Sequence, residues 1–199
     1  MHETIRVAQR FCGPPDSANG GYVGGLLARH VHGDAEVTLR RPPPLDRDLD
    51  VEVRTDGAVV LRAGDAVVAD AVPAAVDIVV PEAVTVEEAR RVAGDARVVR
   101  SPELHPFPTC FVCGPHRERG DGLRLFPAAI PGRAVVAAIW QPDASVIAPD
   151  LTSDGVPPEI VWAALDCPSS FSMYLEPELE GPYVLGRLGV HVDGPVAIG

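Results

Sequence analysis

Apolar positions near the start of the chain recur with a helical period. In SANGGYVGGLLARHV, residues 17–31, Val23, Leu26, Leu27, His30 and Val31 fall at i, i+3, i+4, i+7 and i+8, the stripe of a helix with one buried face. The same stretch carries Gly20, Gly21, Gly24 and Gly25, although each glycine inside a helix costs about 1 kcal/mol against alanine. Two explanations stand open. Either a helix or loop is packed very tightly against a neighbour, or something must lie close to backbone N–H groups there.

Beyond this helix the period changes from 3.6 to 2. AEVTLRR sets Val37 and Leu39 between polar neighbours, and LDVEVRT does the same with Leu49, Val51 and Val53, which predicts strands with one buried face. Asp56-Gly57 and Gly64-Asp65 mark turns around AVVLRA and AVVADAVPAAV. Residues 1–80 therefore read as a first module, a helix followed by an antiparallel meander of about four strands whose apolar face the helix covers. Residues 81–108 break the pattern: Thr85 and Glu88 have capping-box spacing, Gly94 can stop a short helix, and Pro102, Pro106 and Pro108 favour an extended linker.

Residues 109–199 read as a second module. GLRLFPAAI and RAVVAAIW are strand-like around a Pro131-Gly132 turn. In PEIVWAALDCPSSF, Pro157 and Pro158 suit a first helical turn, Glu159 suits the same end, and residues 160–165 are apolar on every side. PYVLGRLGVHV returns to strand. Helix before strands, twice, predicts an α+β fold with an internal duplication. Little chain follows the second helix, so either its sheet is small or an edge is left unpaired for a partner.

Composition narrows the function. The 199 residues are 46% hydrophobic and 23% charged, enough for one large or two small domains, and 21 prolines with 19 glycines fit a turn-rich, strand-rich chain. The net charge of −11 comes from scattered acids with no basic patch, which disfavours nucleic acid as a partner. MHETIRVAQRF has no apolar core, so no secretory signal is expected; no apolar run is long enough to insert in a membrane, and a cytoplasmic location follows as the expectation. Four cysteines in such a chain are expected as free thiols.

The chemistry-bearing residues are few. Cys110 and Cys113 form C-x-x-C with His105 and His116 nearby, but a second ligand pair is missing and turn or packing roles are expected rather than metal. Cys167 follows Asp166 without a histidine at nucleophile-motif spacing, and Cys12 has no assignment. His30 and His32 fall at a helix end, where the dipole favours them. Ser169 and Ser170 lack a G-x-S-x-G context, and no nucleotide-binding glycine motif occurs, so no cofactor is expected. Asp166 ends an apolar helix, where it either bonds a nearby backbone group or acts as a desolvated base.

These stretches resemble the tandem hotdog fold of acyl-CoA thioesterases. CFVCGPHRERGDGLRLF, residues 110–126, is similar to the cysteine-containing lead-in and Gly-Leu of that superfamily, NGGYVGGLLA to its His-Gly-Gly helix start, and PPEIVWAALD to the same element ending on its acid. In the phenylacetate-pathway type, a glycine N–H holds the thioester carbonyl and a carboxylate nine residues beyond the His, on the neighbouring helix, activates water or attacks. Asn19 stands for that His in the first module, where the position nine residues on is Ala28; from Pro157 it is Asp166. The resemblance thus implies one composite site, with Gly20, Gly21 and Asp166 catalytic and Asn19, Tyr22, Glu159 and Trp162 binding substrate. It also implies acyl-CoA or another acyl thioester as ligand and a homo-oligomer formed through an exposed sheet edge. A non-catalytic acyl-ligand binding protein on the same fold is the alternative. A hydratase is disfavoured, since no histidine has an aspartate five residues before it.

Overall fold

The alternation of apolar and acidic residues in DLDVEV is realised as a strand that buries Leu49 and Val51 and turns Asp48, Glu52 and Val53 outward. It belongs to an antiparallel sheet in a computed structural model that describes residues 3–96, 100–144, 155–173 and 182–199. Six strands form this sheet: β1 (Glu3–Arg6), β2 (Ala35–Leu39), β3 (Asp48–Val53), β4 (Val59–Ala63), β5 (Ala66–Pro73) and β8 (Arg187–Val190), in the order β1-β3-β4-β5-β2-β8. The β3–β4 turn uses Gly57 at φ +83°, with Asp56 accepting the Ala58 N–H at 3.0 Å, as the Asp-Gly pair predicted.

The expected meander is realised for β3, β4 and β5. β2 instead pairs with β5, Val37 opposite Ala71. Pro42, Pro43 and Pro44 follow β2; proline cannot donate to a ladder, so this run carries the chain away from a tight hairpin. The second module departs further from expectation. Its strand-like stretches contribute the short pair β6 (Ala128–Ala129) and β7 (Val136–Ala137), and β8 joins the first sheet beside β2, with Val37 opposite Leu188. Among the described residues the molecule is therefore α+β with one six-stranded sheet, and no second copy of that sheet is present.

Among the described residues three α-helices accompany the strands. α1 (Gly20–Ala28) is capped by Asn19, whose side chain accepts the Tyr22 N–H. It ends earlier than the apolar stripe, and His30 and Val31 follow in a turn bonded back to Leu27 and Ala28. α2 (Val86–Val92) has the predicted reciprocal capping box between Thr85 and Glu88. α3 (Pro158–Ser172) starts at the proline pair. Val23 and Leu27 of α1 pack into the sheet's core with Leu49, Leu61 and Val68, while α3 shares a second core with Phe111, Val112, Leu125 and Ile130.

α1 and α3 run antiparallel in close contact, and this accounts for the glycines. A Cβ on Gly21 would stand 2.5 Å from the Trp162 carbonyl oxygen, one on Gly24 2.9 Å from the Trp162 ring, and one on Gly25 would run into the Glu159 backbone. A Cβ on Gly20 would stand 2.7 Å from Leu39 Cδ1. Of the two explanations left open by sequence, tight packing against α3 applies to Gly21, Gly24 and Gly25.

Candidate active site

The antiparallel packing brings the start of α1 against the middle of α3. There Asp166 Oδ2 accepts two hydrogen bonds at 2.9 Å, from the Gly21 backbone N–H and from Asn19 Nδ2. Asn19 is thus bound at both ends, because its Oδ1 accepts the Tyr22 N–H at 2.9 Å as the helix cap. Burial pushes the Asp166 carboxyl up to about 7, and charge on Cys110 adds to this, while the bonds from Gly21 and Asn19 pull the other way. The Gly20 N–H, at the first position of α1, has no acceptor among the described residues. It is one of the unpaired donors that carry the positive end of a helix dipole.

Asn19, Gly20 and Asp166 line a cavity of about 520 Å³. Its other walls are mostly apolar, from Leu39, Pro43, Phe107, Phe171 and Leu185, and the exposed Arg40 and Arg41 also contribute. The structure thus brings Gly20, Gly21 and Asp166, the three residues the resemblance implied as catalytic, close together. One detail differs: the Gly21 N–H is engaged by Asp166 instead of being open to a ligand.

The other residues expected to bind substrate lie elsewhere. Tyr22 stacks on Phe11 with ring centres 4.1 Å apart and meets Phe111 edge-on; burial, with the Glu159 charge adding, pushes its phenol up to about 12. Glu159 is held by Arg29 at 2.5 Å, and Trp162 is buried under Gly24. None of these three lines the cavity. Their positions on the helices are as read, but the tight α1–α3 contact makes Glu159 and Trp162 helix–helix packing groups, and Tyr22 packs against Phe11 and Phe111.

Sequence reasoning missed a cluster. Cys110, Cys113 and Cys167 are buried, free of disulfides, and place their sulfurs within 4.8 Å of one another. Cys110 and Cys167 are 3.6 Å apart. Hydrogen bonds from Cys113 and Cys167 hold Cys110 well below the usual thiol range, while the bond to Cys110 pushes Cys113 and Cys167 well above it. The loop is held in place by the Phe111 N–H donating to the Cys12 carbonyl at 2.7 Å and by the Cys12 thiol meeting the Thr109 carbonyl. The signal was C-x-x-C; the third cysteine was invisible because 53 residues separate Cys113 from it.

His105, in the same cavity lining, is 5% exposed, and burial lowers its pKa. Its Nδ1 accepts the Phe107 N–H at 3.0 Å, which leaves the proton of the neutral ring on Nε2, an atom with no partner among the described residues. His30 and His32 take no part in the site; His30 faces Glu3 at 3.8 Å. Compared with protein-family models, with curated proteins and with solved structures, the chain finds no match in any of the three.

Proposed function

We propose that the chain hydrolyses an acyl thioester, carried by coenzyme A or a similar anionic carrier, where Asn19, Gly20 and Asp166 meet. The observation that carries this reading is the meeting itself: a buried carboxylate from α3 and the N-terminal amides of α1, side by side at an apolar cavity. Leu39, Phe107 and Leu185 suit an acyl chain, and Arg40 and Arg41 suit the carrier's phosphates. Asp166 takes a proton from water as the water oxygen attacks the thioester carbon. The Gly20 N–H stabilises the developing oxyanion, the carbon–sulfur bond breaks, and the leaving thiolate recovers the proton. Asn19 positions Asp166.

The sheet laid over α1 supports a hotdog-like reading of residues 1–80, and the sheet edges at β1 and β8 are where the homo-oligomer of that reading would form. A second reading, binding of an acyl ligand without turnover, draws support from the Gly21 N–H, which Asp166 already occupies. Hydrolysis of an acyl-CoA panel, followed by released thiol, separates the two. The wild type is expected to turn over at least one substrate, and Asp166→Asn to lose roughly 10²–10⁴-fold in kcat with an unchanged circular dichroism spectrum. Equal activity in both removes Asp166 from the mechanism, and no turnover from folded wild type favours binding alone.

A further inference from the structure

We propose that Cys110, Cys113 and Cys167 are a three-thiolate site for a thiophilic d¹⁰ cation, Zn²⁺ or Cu⁺, built from one loop and α3. The inference does not depend on thioester hydrolysis. It rests first on distances. Zn–S bonds of about 2.3 Å at tetrahedral angles set two sulfurs about 3.8 Å apart; Cys110 and Cys167 are 3.6 Å apart, and all three sulfurs fall within 4.8 Å. Three thiols packed merely as apolar groups have no reason to converge sulfur on sulfur.

The second support is the backbone of the loop. The Gly114 N–H closes the loop onto the Cys110 carbonyl at 2.9 Å. A Cβ at Gly114 would stand 2.6 Å from the Cys110 nitrogen and 2.6 Å from the Pro108 oxygen, so this closure requires glycine. The full signature is thus C-x-x-C-G plus the cysteine after Asp166.

All three cysteines line the cavity. A cation has an entry path there, and its fourth position is open to water or a small anion from that side. His105 is not assigned as the fourth ligand, because the proton on Nε2 blocks its lone pair.

The test uses the full chain, reduced and stripped by chelator, then titrated with Cd²⁺ and Co²⁺ as probes for Zn²⁺ and, in a separate anaerobic arm, with Cu⁺. One equivalent per chain with thiolate-to-metal charge-transfer absorption is expected in at least one arm, and the arm that responds identifies the ion. Cys167→Ser is expected to lose that absorption, while Gly94→Ala, altered where a methyl meets nothing within 4 Å, keeps it. No charge-transfer band in any arm overturns the proposal, as does a band that survives in Cys167→Ser. Should Cys167→Ser fail to fold, band intensity in the wild type still counts the thiolates, and fewer than three overturns the proposal.

Discussion

Glu159 is a carboxylate taken almost wholly out of water, with a side chain 7% exposed, and Arg29 bonds both of its oxygens from a position 40% exposed. Removing one partner of such a pair strands the other charge. Arg29→Ala should destabilise the fold by about 2–3 kcal/mol, below the range for fully buried pairs because Arg29 is partly solvated; urea denaturation measures it. The double variant Arg29→Met/Glu159→Gln should recover most of the loss. Glycine effects divide in the same way. Gly25→Ala drives a methyl into the Glu159 backbone and should cost about 1–3 kcal/mol or more. Gly94→Ala meets nothing within 4 Å and should be neutral or slightly stabilising. Residue identity alone announced the glycines and Asp166. It did not announce that Glu159 and Trp162 face α1 instead of a ligand, because that depends on the rotation of one helix against another.

The elements that were legible are those whose cause is local. The Thr85–Glu88 box, the proline start of α3 and the alternation in β2 and β3 each follow from neighbours within a few residues, and each is present. Partners in the sheet were not legible, since β2 could pair with either β3 or β5 and only the proline run after it decides. The docking of β8 has a titratable component. His191, just past the strand, bonds Asp34, just before β2, at 2.8 Å, and Asp193 at 3.1 Å; these contacts raise its pKa. A raised histidine pKa contributes stability that is fully present below the unfolded value of about 6.5 and is lost as pH rises through the folded one. A proton NMR titration should place the His191 midpoint above 6.5, and Asp34→Asn should bring it back down.

Across the whole molecule, two cores meet on α3, one with the sheet and α1, the other with the cysteine loop. Neither core keeps to one stretch of sequence: the core around α1 and the sheet takes in Trp162 and Val190, and the core around the cysteine loop takes in Val92 and Ala96. Composition and period located the helices and most strands; the cavity and the thiol cluster required the chain to be folded back on itself. Among the described residues no helix is long and apolar enough to cross a membrane.

The place of β8 in the sheet also constrains how the protein is made. Most of the sequence lies between β2 and the strand that covers it, so while a ribosome is still reading the message, β2 has an open side. Glu36 stands on that side, where a charge discourages pairing with a neighbouring nascent chain. When residues 187–190 emerge, Arg187 meets Glu36 at 3.4 Å. The carboxylate that kept strangers away during synthesis then receives the strand's own cation, and a strand from late in the sequence completes the sheet beside β2.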